Sequence, residues 1–223
     1  MFPILKGKVA IVTGSSRGIG RALALAFAEQ GCDVVVTGKS VESTAGLEGS
    51  IYTVAEEVEA RGARCLPFQL DVRDEARVEE MVAATARELG APAILVNNAS
   101  ALWWKPIEGT PLSRFDLIHS INARGTFACT RAVLPFMREA GWGHVVTQSP
   151  PIELDKMASM STYAGRTAGR AACLACLVAS TPQPQHADCP PRLPDLLPPA
   201  GVAFFLLSAR ARTQRPTIFR SSA

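Results

Sequence analysis

Thr13 to Gly20 reads TGSSRGIG. It follows the apolar, β-branched run Lys8 to Gly14 (KVAIVTG). It opens Ile19 to Gln30 (IGRALALAFAEQ), a helical pattern stopped by Gly31. No other stretch restricts the fold as much. A strand must end in a tight turn and pass at once into a helix. The glycines let the backbone approach a bulky ligand closely. The helix start supplies free N–H groups and the positive end of the dipole. A strand, this glycine spacing and a helix, in that order, point to the pyrophosphate of a dinucleotide.

The rest of the N-terminal part repeats the unit. Asp33–Thr37, Arg64–Leu70, Ala93–Asn97 and His144–Gln148 read as further strands. Ile51–Arg61, Asp74–Leu89, Ser113–Ala140 (with a bend at Pro135) and Ser161–Ala179 read as helices. Apolar strands that barely alternate, each followed by a helix, imply a parallel sheet covered on both faces. With right-handed crossovers this is an α/β, doubly wound parallel sheet, the Rossmann fold. Ligands of such sheets lie at the carboxyl ends of the strands, where the strand order reverses.

The pattern stops near residue 180. Residues 181–200 carry seven prolines (182, 184, 190, 191, 194, 198 and 199), which excludes a central strand or a regular helix there. The division is a dinucleotide-binding domain over 1–180 and a Pro/Arg-rich irregular tail over 181–223. A short helix or strand is expected at Val202 to Leu207, and the sheet is expected to lack its last strands. Charge marks the same break. Residues 1–176 hold 18 Lys+Arg and 18 Asp+Glu, whereas 177–223 hold five arginines against two aspartates. Lysine ends at Lys156 and glutamate at Glu153. The loss of lysine and glutamate begins close to residue 160, and we read the chain beyond that point as an altered frame or splice; a single continuous frame at the transcript's 3′ end would exclude it.

The balance of charge argues against a nucleic-acid partner. Six cysteines in 223 residues are too few for a disulfide scaffold, and Cys173 and Cys176 lack a second pair for a metal. No metal site is expected. Residues 1–8 lack the apolar length of a signal peptide. No apolar run reaches a membrane span, and the terminus is no peroxisomal address. A soluble chain in a reducing intracellular compartment, cytoplasmic by default, is expected.

The end of the second strand reads Val36-Thr37-Gly38-Lys39-Ser40. An NAD site usually carries a carboxylate there for the ribose 2′-OH. Lys39 stands in this stretch instead, and with Arg17 it would hold a 2′-phosphate. NADP is favoured over NAD. Leu70-Asp71-Val72 and Asn97-Asn98-Ala99-Ser100 also stand at strand ends, where such a cofactor lies.

With Asn122, Ser149 and Tyr163 added, the chain resembles the short-chain dehydrogenase/reductase family over about residues 6–170. Ser149-Pro150-Pro151, the Asn-Asn-Ala-Ser stretch and Leu47–Glu57 resemble its hydroxysteroid dehydrogenase-like protein 2 group. The resemblance implies that Thr13, Gly14, Ser16, Arg17, Gly18, Ile19, Gly20 and Lys39 hold the NADP phosphates. It implies Asp71 and Val72 beside the adenine, and Asn97, Asn98 and Ala99 on the adenosine side. It implies a small-molecule carbonyl or alcohol substrate, hydride transfer, and a homo-oligomer. Its catalytic set implies that Tyr163 exchanges the proton, Ser149 binds the substrate oxygen and Asn122 holds a relay water.

The family also places a lysine four residues after the tyrosine. Here that position is Thr167, with Arg166 before it. A hydroxyl carries no charge with which to depress a tyrosine pKa of about 10. A non-catalytic, dinucleotide-binding or truncated form is therefore the alternative reading. Trp103 and Trp104 suit either a lipophilic substrate wall or an exposed contact.

Overall fold

The computed structural model describes residues 5–42, 49–103, 105, 107–149 and 203–209. Five strands, β1 (Val9–Val12), β2 (Asp33–Gly38), β3 (Cys65–Gln69), β4 (Pro92–Asn97) and β5 (Gly143–Ser149), run parallel. A sixth, β6 (Ala203–Ala209), pairs antiparallel with β5. The spatial order is β3-β2-β1-β4-β5-β6. The chain builds outward from β1 through β2 to β3, then returns to place β4 on β1's other side. The order therefore reverses between β1 and β4, which opens a crevice above their carboxyl ends.

The strands are apolar throughout because both sheet faces are covered. Ala10, Val12, Val34, Val36, Ile94 and Val96 pack with Leu23, Ala24 and Phe27 of α1 (Gly18–Glu29). They also meet Ile51, Val54 and Val58 of α2 (Ile51–Glu59). The intervening residues Ile11, Val35, Leu95 and Val145 point the other way. They meet Val78, Met81 and Val82 of α3 (Glu75–Glu88) and Cys129, Val133 and Met137 of α5 (Thr126–Glu139). A period of two along each strand thus feeds two cores. Local chemistry starts the helices. Ser50 and Thr53 form a reciprocal capping box on α2, and the Asp74 carboxylate accepts from the Arg77 N–H at the start of α3.

Two elements differ from expectation. The helix expected over Ser113–Ala140 is three pieces: α4 (Leu112–His119), a π-helical turn (Ser120–Gly125) and α5. Pro135 stays inside α5, while the irregularity falls ten residues earlier. There Gly125 packs against Val72 so closely that a Cβ would stand 2.8 Å from Val72 Cγ2. The hydroxyls of Thr126 and Thr130 donate back to the carbonyls of Asn122 and Thr126, at 2.8 and 2.7 Å.

The second difference is at the sheet edge. β6 pairs along all of β5, from Gly143 opposite Ala209 to Ser149 opposite Ala203. The edge expected to stay open is therefore covered. A run reading AFFLLSA suits the unpaired N–H and C=O row that β5 otherwise presents. Ser161–Ala179 and residues 181–200 lie outside the described residues. Among the described residues, no helix is long and apolar enough to cross a membrane.

Cys32, Cys65 and Cys129 are free thiols, and burial pushes each up to about 12. Unfolding would return them to about 8.5. A raised folded value adds stability that is complete below the unfolded value and is lost as pH rises toward the folded one. The urea midpoint is therefore expected to fall between about pH 8 and about pH 10.5, and to fall less steeply in Cys32→Ala/Cys129→Ala. Equal slopes in the two proteins would contradict this.

Candidate functional site

The ends of β1 and β4 are tied to each other. Thr13 is buried just past β1, and its hydroxyl donates to the Val96 carbonyl at 3.2 Å. The same oxygen accepts from the N–H groups of Asn98 and Ala99, both at 3.0 Å. Asn98 returns the bond: its Nδ2 donates to the carbonyls of Thr13 (2.8 Å) and Gly14 (2.9 Å). Asn97 is turned inward, and its amide donates to Thr130 Oγ1 (3.2 Å) and Thr147 Oγ1 (3.5 Å). Thr13, Gly14, Asn97, Asn98 and Ala99 are thus brought together as the floor of the crevice.

Ser15 and Thr37 tie the loop to β2. The Ser15 hydroxyl donates to the Val12 carbonyl at 2.7 Å and accepts from the Thr37 N–H at 2.9 Å. The Ser15 N–H donates to the Thr37 carbonyl at 2.7 Å. Ser15 lies within the Thr13–Gly20 motif and Thr37 in the stretch that closes β2, but their pairing across 22 residues was not expected. Small hydroxyl residues flanking the glycine loop were the available signal. Ser16 is buried beneath Gly38, where an added Cβ would lie 3.2 Å from Ser16 Oγ.

The loop leaves room above it. Gly18 has φ +56°, and nothing lies within 4 Å of where its Cβ would be. Gly20 is the opposite: a Cβ there would stand 2.3 Å from the Gly14 oxygen and 2.5 Å from Asn98 Nδ2. One glycine keeps space open, and the other lets α1 pass close to the strand ends. Arg17 is the N-cap residue of α1 and provides no side-chain cap, while Ile19 in the first turn is 49% exposed. Uncapped first-turn donors, at the positive end of the helix dipole, fit a pyrophosphate.

At the rim, charges gather at the ends of β2 and β3. The Arg17 guanidinium donates to Ser40 Oγ at 3.1 Å. Lys39 Nζ lies 3.3 Å from Asp71 Oδ2. Arg73, not singled out from the sequence, takes the same carboxylate: its Nη2 is 2.5 Å from Oδ2, and its Nε is 3.0 Å from Oδ1. Hydrogen bonding to the Arg73 guanidinium and backbone, with Lys39 adding to it, holds the Asp71 carboxyl far below the usual carboxylate range against the pull of burial. Val72 is buried against Gly125.

The other half of the site stands over β4 and β5. Asn122 sits in the π turn and is fully buried. Its Oδ1 accepts from the Ala101 N–H, and its Nδ2 donates to the Ala101 carbonyl, both at 3.0 Å. The pair fixes the chain just past β4. Ser149 is the last residue of β5, two places beyond Thr147, which lies opposite Asn97. Tyr163, Arg166, Thr167 and Trp104 lie outside the described residues. Trp103 is half-buried, with Arg114 stacked 4.8 Å from its ring and a buried Nε1 that has no partner.

The family model for short chain dehydrogenases matches residues 8–178. The chain belongs to that family. Its members are oxidoreductases that bind a nicotinamide dinucleotide. Hydroxysteroid dehydrogenase-like protein 2 of Mus musculus is 40% identical over 153 residues, covering 69% of this chain and 31% of that protein. The Homo sapiens protein of the same name is 40% identical over 151 residues, 68% of this chain and 36% of its own length. The chain thus spans about a third of those relatives. Among solved structures, a short chain dehydrogenase of Mycobacterium thermoresistibile is 40% identical with a TM-score of 0.72, covering 78% of this chain and 62% of that one. A metagenomic short-chain oxidoreductase in complex with NADP is 26% identical with a TM-score of 0.71, covering 78% and 76%.

The Asn98 tie can be tested directly. Asn98→Ala leaves two carbonyls without their donor and is expected to cost about 1–3 kcal/mol in urea unfolding. Asn98→Asp, of nearly the same shape, sets a carboxylate against those carbonyls and is expected to cost more. An aspartate variant as stable as wild type would remove the amide from this role.

Proposed function

We propose that this chain is an NADP(H)-dependent oxidoreductase acting between a carbonyl and a secondary alcohol. The observation that carries the reading is the glycine loop clamped over the β1–β4 crevice, with Arg17 and Lys39 at its rim. A bound nicotinamide dinucleotide would supply the hydride in reduction and accept it in oxidation. The chain's own residues do the rest. Thr13 to Gly20 hold the pyrophosphate on the open face of Gly18. Arg17, Ser40 and Lys39 face the 2′-phosphate. Asp71 and Val72 border the adenine, and Asn97, Asn98 and Ala99 hold the adenosine side of the crevice in shape. On the reacting side, Ser149 donates to the substrate oxygen and Tyr163 gives it a proton in reduction or takes one in oxidation. Asn122, fixed by Ala101, positions a water behind them. The NADP in a structural neighbour supports this cofactor choice.

A second reading is favoured by one residue. Thr167 stands where the family lysine would lower the pKa of Tyr163. On that reading the chain binds the cofactor and turns over poorly.

Two measurements test these readings: the first probes the cofactor site that both share, and the second separates them. NADPH at about 100 times its dissociation constant stabilises a folded site by about 2.7 kcal/mol. Thermal unfolding is expected to shift upward with NADPH and much less with NADH; no shift with either would end the binding proposal. In carbonyl-reduction assays, Thr167→Lys is expected to raise kcat by roughly the 10²–10⁴-fold typical of general acid–base assistance. An unmodified chain that already works at an ordinary enzyme rate would dismiss the second reading.

A further inference from the structure

Lys39, Asp71 and Arg73 form one charged group at the rim. Lys39 Nζ approaches Asp71 Oδ2 at 3.3 Å. Taken alone, that pair is neutral and of little use to a phosphate. Arg73 changes the balance. Its Nε lies 3.0 and 3.1 Å from the two Asp71 oxygens, its Nη2 lies 2.5 Å from Oδ2, and its backbone N–H donates to Oδ1 at 3.1 Å. The carboxylate thus has two cations, one of them held by a fork of donors that a lysine could not reproduce. The group carries one net positive charge. Arg73 is itself held in place: Arg124 Nη1 donates to its carbonyl at 2.8 Å, and Arg124 Nη2 reaches Glu75 at 3.2 Å.

We propose that Arg73 is a positioning residue for cofactor choice: by occupying both oxygens of Asp71 it leaves the Lys39 charge uncancelled for a 2′-phosphate, and so raises the preference for NADPH over NADH. This rests on the NADP reading above. The 2′-phosphate is the one group that distinguishes the two cofactors. Any effect through the adenine or pyrophosphate is common to both and drops out of their ratio. The side chains are partly exposed, Lys39 at 66% and Arg73 at 40%, so solvent and salt screen the effect and keep it moderate.

The test is fluorescence titration of the full chain with NADPH and with NADH, in wild type, Arg73→Gln, Arg73→Lys, Asp71→Asn and the Asp71→Asn/Arg73→Gln double variant. Wild type is expected to bind NADPH more tightly. Arg73→Gln should lower the NADPH/NADH affinity ratio about three- to tenfold through NADPH alone, and less at high salt. Arg73→Lys, which keeps the charge but not the fork, should restore the ratio only in part. In the Asp71→Asn background, Arg73→Gln should have little further effect, since the charge it neutralises is gone. A wild type with no NADPH preference overturns the NADP reading, and this proposal with it. A wild-type preference that Arg73→Gln leaves intact, equal weakening of both cofactors, or an undiminished effect in the Asp71→Asn background overturns this proposal alone.

Discussion

The reciprocal bonds between Thr13 and Asn98 hold the cofactor side of the molecule together. At the point where strand order reverses, the chains leaving β1 and β4 part toward opposite faces of the sheet. Regular ladder bonds end there, yet the backbone is still largely removed from water. Unpaired N–H and C=O groups in that position would be costly. One hydroxyl and one amide meet the need: Thr13 Oγ1 serves two N–H groups, and Asn98 Nδ2 serves two carbonyls. Gly20 must then lack a side chain, because the Gly14 oxygen and Asn98 Nδ2 fill the space a Cβ would need.

Electrostatics divide along the same line. The crevice floor is held by neutral, buried hydrogen bonds through Thr13, Ser15, Thr37, Asn97 and Asn98. The charged side chains stand outside it, at the ends of β2 and β3, where they are partly solvated. Exposed ion pairs of this kind add little to stability. Their consequence is directional: Arg17, Lys39 and Arg73 bring positive charge to one end of the crevice. A neutral floor and a cationic rim suit a ligand whose phosphates lie along one side.

The π turn governs the other end. An α-helix carried straight through Ser113–Ala140 would follow a single register. The wider turn at Ser120–Gly125 instead buries Asn122 and lets it bond both backbone groups of Ala101. Gly125 makes this possible by permitting close packing on Val72. The turn thereby links the end of β4 to the segment after β3, so the two ends of the crevice share one helix.

Much of this was legible in the sequence. Apolar, β-branched runs such as Asp33–Thr37 and Ala93–Asn97 mark buried strands, because their alternate residues must satisfy two cores. The glycine spacing from Gly14 to Gly20 marks the loop, because other residues would clash or strain there. Short-range patterns carry that information in the chain itself. What the tertiary structure decided depends on partners distant in sequence. Asn98 reads as a cofactor contact until Thr13, 85 residues away, takes its amide and backbone. Nothing in the sequence singles out Arg73; its role appears only with Lys39 on the same carboxylate. The π turn at Asn122 depends on Val72 and Ala101; a short helix or strand near Val202–Leu207 is readable in the tail, but its antiparallel place at Ala203–Ala209 depends on the edge of β5. Sterics and periodicity act locally, so the residue pattern alone marks the five parallel strands, the glycine loop and the helices between them. Only the folded sheet decided which polar groups lock the crevice and which charges reach its rim, since those choices depend on neighbours brought together by folding.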